Sequence, residues 1–351
     1  MRAINIPSQV KIEFGIFENI NNYLDNTALK LDKVLIVSGV GSTVNFAQEI
    51  KSKIEFKYAV EHIMVETNSM DSVLNITERI VFEEFTVIIG VGGGKVLDLC
   101  KYIAYISRID FVAVPTSLAH DGIASPIAVL KVGNQVKSLG CNIPKLVLVD
   151  LEVIMASPLI TRQAGVGDIL SNYTATFDWK LAYKNGQSKI DDFALMLSDM
   201  AYTSVVNHPI RSVENIDFVK TLVQAVILSG IAMEISRDSR PCSGSEHLFS
   251  HALDSIEKDY TLPHGIQVAI GSVMAAYIQG QDFKKQMQFL KDFNIPYKPS
   301  MCGLSDEIVV QAWINAKGTR KGRYTVLDIV DSQNKEFFYN VVKNINDINL
   351  E

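Results

Sequence analysis

Three of the six histidines in this 351-residue chain fall within one short stretch, SGSEHLFSHALDSIEKDYTLPHG, residues 243 to 265. Imidazole binds metals and moves protons near neutral pH, so such a concentration points to chemistry. His247 and His251 stand four apart. On a helix they share one face, with Cβ atoms about 6 Å apart, and both rings can enter one site. His264 follows Pro263 and precedes Gly265, at a loop-to-helix junction. Catalytic divalent cations commonly take three protein ligands from nitrogen and oxygen donors and keep one position open. Asp168 in GVGDILSNY offers the missing carboxylate, between glycine punctuation and a helical run. The same aspartate also suits a helix N-cap. A histidine taken alone is more often a packed core residue than a ligand. Ser243 and Glu246, three apart, match a capping box that opens the histidine-bearing helix.

A second constellation lies earlier. The run VIIGVGGGKVLDLCKYIA reads as strand, glycine turn and helix start, which lets backbone N–H groups approach a phosphate. Neither common fingerprint fits. Lys95 stands where GxGxxG needs its last glycine or alanine. Ile89 and Val96 occupy the first-glycine and Ser/Thr places of the P-loop pattern. A plain tight turn is the alternative, but three successive glycines cost backbone entropy that such a turn does not require. The next strand, FVAVPTSLAHDGIASP, ends in Thr116 and Ser117, at the carboxyl edge where open α/β sheets bind ligands. Asp121 follows in a turn, where it can equally bond its own backbone.

The elements that must position these residues change rhythm along the chain. KVLIVSG (33–39), KYAVEHIMVE (57–66), FTVIIG (85–90), FVAVPT (111–116) and KLVLVD (145–150) are apolar runs suited to strands buried on both faces. Helical spacings separate them, a βαβ alternation. From about residue 158 helical periodicities take over, as in DILSNYTATFDWKLAYK and GIQVAIGSVMAAYIQG. The expectation from rhythm is an α/β domain over 1–157 followed by an all-helical domain over 158–351. ASPLITR (156–162) would be the hinge, with a ligand cleft between the domains.

Bulk composition narrows the partners. With 48% hydrophobic and 21% charged residues the chain is ordinary and globular, and a net charge of -6 with no basic run argues against nucleic acid. LVQAVILSGIAMEI (222–235) is shorter than the ~20 residues of a membrane span and reads as a buried helix. MRAINIPSQVKIEF lacks a signal pattern. Cys100, Cys141, Cys242 and Cys302 form no CxxC pair, so the default setting is reducing and cytoplasmic.

Taken in order, GGGKVLD, PTSLAHDGIASP, GVGDILSNYTA, SGSEHLFSHAL and LPHG resemble the sn-glycerol-1-phosphate dehydrogenases of the iron-containing alcohol dehydrogenase and dehydroquinate synthase-like superfamily. The resemblance spans roughly residues 10 to 330; HDGIASP and SGSEHLFSH are its specific parts. It implies a dehydroquinate synthase-like fold, with a Rossmann-like α/β domain followed by an all-α domain. It implies that Gly92, Gly93, Gly94, Lys95, Val96, Leu97 and Asp98 bind the NAD(P) pyrophosphate. Thr116, Ser117, Leu118, Ala119 and Ser125 would lie against the same cofactor. Asp168, His247 and His264 would hold one divalent metal, usually Zn2+, with Ni2+ or Fe2+ as alternatives. Asp121, Asp168 and His251 would contact the substrate, with Asp121 and His251 catalytic, so the second histidine of the helix is not a metal ligand.

The implied reaction interconverts dihydroxyacetone phosphate and sn-glycerol 1-phosphate, the metal acting as Lewis acid and the nicotinamide carrying hydride. Glycerol dehydrogenase, acting on unphosphorylated glycerol, is the alternative and would share the metal trio. Dehydroquinate synthase normally carries glutamate at the place of Asp168, and an idle nucleotide- or metal-binding protein would show decayed motifs, which are absent here. For the phosphate, the head of the helix near Ser243 and Arg320 or Arg323 in TRKGRYTVL are candidates. The family also implies a homo-oligomer.

Overall fold

Buried β-branched runs become parallel strands here because helices cover both faces of the sheet they form. The computed structural model describes residues 6–133, 135–256 and 262–350, and the chain divides into two compact units, Met1–Pro158 and Leu159–Glu351. The start of MRAINIPSQVKIEF and residues 257–261 of the histidine-rich stretch lie outside the described residues.

The first unit contains strands β1 (Gln9–Glu13), β2 (Lys33–Ser38), β3 (Ala59–Met64), β4 (Val87–Gly92), β5 (Asp110–Pro115), β6 (Ile127–Val132), β7 (Gln135–Gly140) and β8 (Leu146–Asp150). Its helices are α1 (Ile20–Asp25), α2 (Ser42–Ile54), α3 (Met70–Glu83), α4 (Gly94–Ser107) and α5 (Leu151–Ala156). Six strands pair in parallel in the order β1-β8-β5-β4-β2-β3, while β6 and β7 form a separate antiparallel hairpin. The chain runs outward from β2 to β3, then returns to β4 on the other side of β2. The β2–β4 boundary is therefore the topological switch point, where open α/β sheets bind ligands. Gly92 pairs with Pro115, and Thr116 donates its N–H to the Gly92 carbonyl at 3.0 Å. That register brings the GGGK and PTS segments out side by side at the carboxyl edge.

β1, β6 and β7 were not among the expected strands. QVKIE is at the sheet edge and only half-buried, and QVKSLG is largely exposed, so neither carries the apolar run that marks the inner strands.

The second unit is helical throughout its described residues: α6 (Leu159–Lys184), α7 (Asp192–Val206), α8 (Ile216–Ser236), α9 (Ser245–Ile256), α10 (His264–Ile278), α11 (Phe283–Asp292), α12 (Asp306–Thr319) and α13 (Lys335–Asn346). By length and composition α8 could cross a membrane, yet Phe218, Val219, Leu222, Val223 and Val226 are buried within this unit, as in a core helix.

GVGD does not punctuate a helix. Helix α6 continues through Gly165 and Gly167, so Asp168 lies mid-helix and the N-cap reading fails. The glycines instead permit a close crossing of α6 and α10. A Cβ on Gly167 would lie 2.2 Å from the Gly265 carbonyl oxygen, and one on Gly265 would lie 2.0 Å from the Ala164 carbonyl oxygen. Both obstacles are backbone, which cannot rotate away. Gly265→Ala should therefore destabilise the chain by about 1–3 kcal/mol through overpacking, read as a lowered melting temperature. An unchanged melt would show that the two helices do not meet this closely. The crossing also brings Asp168 of α6 to His264, the residue before Gly265.

Candidate metal centre and cofactor loop

In the second unit, Asp168, His247 and His264 each present one ligand atom, and these atoms all lie within 4.8 Å of one another. His247 Nε2 is 3.6 Å from Asp168 Oδ1, and the His247 and His264 ring centroids are 5.2 Å apart. Asp168 and His247 are buried and His264 half-buried. An acid and two imidazoles this close suit a borderline divalent cation.

The other ring nitrogens are engaged in ways that aim these. His247 Nδ1 lies 3.0 Å from Glu246 Oε1, a buried carboxylate that also accepts from Thr174 Oγ1 at 2.9 Å. An ionised carboxylate can only accept, so Nδ1 carries a proton and Nε2 faces Asp168. For His264 the direction follows from a chain of bonds. Gln267 donates its amide to Asp254 Oδ1 (2.8 Å) and to the Leu262 carbonyl (3.0 Å), leaving Gln267 Oε1 to accept from Ser250 Oγ at 2.8 Å. The Ser250 oxygen then accepts from His264 Nδ1 at 3.0 Å, and the lone pair resides on His264 Nε2. Glu246, Ser250 and Gln267 were not singled out as site residues. Their signal was local: Glu246 precedes His247, Ser250 precedes His251, and Gln267 lies one turn beyond His264.

The capping box expected from Ser243 and Glu246 does not form as expected. The α9 helix begins at Ser245, whose N–H is accepted at 2.7 Å by Asp178 Oδ2 from α6. Glu246 takes the Gly244 N–H at 2.5 Å besides its bonds to Thr174 and His247. Asp178 also accepts the Val326 N–H at 2.8 Å. Burial, reinforced by the Glu246 charge, pushes the Asp178 pKa up to about 7.

Burial opposes charge on His247, but Asp168 and Glu246 outweigh it and raise its pKa to about 10. His251 goes the other way. Burial first, then the charges of His247, Arg320 and Arg323, push it down to about 4. Its ring centroid lies 6.4 Å from that of His247 and 5.9 Å from that of His264, and it is outside the ligand trio. Neither of its ring nitrogens has a hydrogen-bond partner among the described residues.

The two arginines that bear on His251 belong to a cationic cluster. Arg323 bonds Asp238 Oδ1 at 2.9 Å and Arg240 Nε lies 3.5 Å from Asp238 Oδ2. Arg320 and Arg323 both donate to Ser239 Oγ, at 2.7 and 2.8 Å. Arg323 also reaches the Ser243 carbonyl at the head of α9, at 2.9 Å. Two guanidinium groups thus share one carboxylate, and the third, Arg320, forms no ion pair among the described residues. Burial, then the neighbouring Arg320 charge, lowers the Arg323 pKa to about 9.

The candidate cofactor loop belongs to the first unit. Gly93, the N-cap of α4, makes no side-chain cap bond, and the Gly94 and Lys95 N–H groups have no acceptor among the described residues. A Cβ on Gly93 would come 3.0 Å from Ser117 Oγ, so the glycine lets that hydroxyl lie close beside these donors. Unsatisfied N–H groups at a helix start suit a phosphate. Lys95 is exposed, whereas Val96, Leu97 and Leu118 are buried and offer a ligand only their backbone. Thr116, Ser117 and Ala119 form the adjoining loop after β5.

Asp98 and Ser125 are buried and already engaged. Lys101, also buried, donates to Asp98 Oδ1 (3.1 Å), Ser125 Oγ (3.4 Å), the Gly122 carbonyl (2.7 Å) and the Ile127 carbonyl (2.7 Å), while Asp98 Oδ2 accepts the Val129 N–H (3.0 Å). This ammonium staples α4 to the HDG turn and the β6–β7 hairpin. Asp121 opens a single 3-10 turn, Asp121–Ile123, and is half-buried.

Over 331 residues the chain is 35% identical to a glycerol-1-phosphate dehydrogenase [NAD(P)+] of Methanosphaera stadtmanae, covering 93% of each chain. The chain belongs to the glycerol-1-phosphate dehydrogenase family. A second member, from Sulfolobus acidocaldarius, is 33% identical over 331 residues, 92% of each chain. The model of a broader family, iron-containing alcohol dehydrogenase, matches residues 11–158. The fold is also that of a probable glycerol dehydrogenase from Sinorhizobium meliloti (TM-score 0.78, 19% identity, 99% of this chain and 100% of that one). A glycerol dehydrogenase from Schizosaccharomyces pombe is similar (TM-score 0.80, 18% identity, 99% and 90%). Membership makes the chain an oxidoreductase acting on CH–OH groups.

Proposed function

We propose that the chain interconverts dihydroxyacetone phosphate and sn-glycerol 1-phosphate, using NAD(P)(H) and one divalent cation. The observation that carries the reading is the convergence of Asp168, His247 and His264, with both imidazoles oriented by bonds to their far nitrogens. Residues 1–157 would hold the dinucleotide, on the Gly93–Lys95 backbone and the Thr116–Ala119 loop. Residues 158–351 would hold metal and substrate. Asp98 and Ser125 would serve the cofactor through Lys101, which fixes the loop's shape.

A neutral secondary alcohol is a poor hydride donor, and a divalent cation supplies the Lewis acidity that makes its oxygen anionic, or polarises the ketone in reverse. The chain's own residues orient and move protons. Glu246 and the Ser250–Gln267 pair hold the two imidazoles in their ligating tautomers. His251, one turn beyond His247 on the same helix, would handle the proton of the substrate hydroxyl, and Asp121 would fix a second hydroxyl. Zn2+ is the proposed cation, and the same donor set accommodates Ni2+ or Fe2+. The unbridged cysteines suit a reducing, cytoplasmic setting, and a homo-oligomer is part of the proposal.

The cationic excess at Arg240, Arg320 and Arg323 favours a phosphorylated substrate over free glycerol, because an incoming phosphate would supply the missing anions. The deciding assay compares NAD(P)H oxidation with dihydroxyacetone phosphate and with dihydroxyacetone, before and after chelation. The expected result is preference for the phosphorylated ketone, loss of activity on chelation and recovery with added Zn2+, Ni2+ or Fe2+. Preference for dihydroxyacetone would move the assignment to glycerol dehydrogenase.

A further inference from the structure

The cofactor loop holds one imidazole that no motif assigned. His120 Nδ1 accepts the Gly122 N–H at 3.0 Å. A ring nitrogen that accepts carries no proton, so in the neutral ring the proton sits on Nε2, which becomes a donor. That donor lies directly against the start of α4. A Cβ on Gly94 would stand 2.0 Å from His120 Nε2, and one on Gly122 would stand 2.4 Å from His120 Cε1. Neither glycine has a positive φ, so the backbone conformation does not demand glycine at either place. Both lack a side chain because the ring occupies the space. Nε2 has no partner among the described residues, and beside it the N–H groups of Gly94 and Lys95 also lack acceptors. Closing the turn needs only an acceptor at the Nδ1 position, which the smaller asparagine would supply. The distal half of the ring, clamped between two glycines, serves something else.

We infer that His120 is a tautomer-locked donor whose Nε2–H joins the Gly94 and Lys95 N–H groups in holding a pyrophosphate oxygen of the dinucleotide. The assignment rests on the NAD(P) reading given above. It adds a side-chain donor to a cradle otherwise built from backbone, and it ties the HDG turn to the occupancy of the loop.

His120→Asn and His120→Gln separate the two ends of the ring. The asparagine oxygen falls near Nδ1 and keeps the turn, but nothing reaches the Nε2 position; the glutamine amide nitrogen reaches it. With the full-length chain, dissociation constants for NADH and for ADP-ribose are measured by nicotinamide fluorescence, directly and by competition, alongside thermal melts. His120→Asn should weaken both by about tenfold or more, the loss of one hydrogen bond to a charged group, with an unchanged melt. His120→Gln should recover most of the affinity. Unchanged NADH affinity in His120→Asn would overturn the assignment. So would a loss of affinity that tracks a lowered melting temperature in both variants, which would make His120 a packing residue. If the unaltered chain bound neither NADH nor ADP-ribose, the dinucleotide reading itself would fall.

Discussion

His264→Ala is expected to lose the bound divalent cation and turnover together, with metal content falling from one per chain to background. The ligand set has no spare member: the described cluster comprises Asp168, His247 and His264, and the His251 ring is not part of it. NADH affinity should survive, because the proposed cofactor loop is built in the first unit from Gly93 to Lys95, and an unchanged far-UV circular dichroism spectrum would show that the helical second unit still folds. Glu246→Gln is the milder counterpart. It keeps the shape but no longer presents a carboxylate to His247 Nδ1, and changes of this kind typically cost 10–100-fold in metal affinity. Metal analysis after gel filtration, with parallel turnover assays, reads both variants. Full activity in a metal-free His264→Ala protein would remove the metal from the account.

Arg320→Met should raise the KM for dihydroxyacetone phosphate by about 10–100-fold, the value of one charged hydrogen bond to phosphate. The KM for dihydroxyacetone should stay where it is. Arg320 is the member of the cluster to change, because Arg240 and Arg323 are tied to Asp238 and to the Gly322, Tyr324 and Ser243 carbonyls, so their loss would disturb the fold. Arg320 spends one described bond, on Ser239 Oγ, and its charge reaches His251. Methionine keeps the apolar stem and removes the guanidinium. Equal changes in KM for both ketones would mean that Arg320 does not read the phosphate.

The parts of this molecule that were legible in the sequence are those written in a single local code. KVLIVS and VIIGVG are apolar without interruption because both sheet faces are covered, and such runs read as inner parallel strands. The i, i+4 spacing of His247 and His251 places them on one helical face wherever the helix packs. Asp168 was identified as a candidate, but its surroundings were misjudged. Glycine flanking an acid reads as a helix boundary, whereas Gly167 is needed for contact with the Gly265 backbone, a partner 98 residues away. Glu246 was misread for a similar reason. Three residues after a serine it looks like a capping partner, yet Asp178, 67 residues earlier than Ser245, takes the capping N–H and leaves Glu246 to orient His247. The Ser250–Gln267 relay and the Lys101 staple likewise depend on pairings between segments. Residue type alone does not state them.

Diffraction from crystals of active, unaltered enzyme, collected at the absorption edge of the copurified metal, tests the central claim most directly. The account predicts one anomalous peak about 2.0–2.2 Å from an Asp168 oxygen, His247 Nε2 and His264 Nε2, with His251 at a greater distance. An active crystal with no peak there, or with those three side chains turned away from one another, would contradict it.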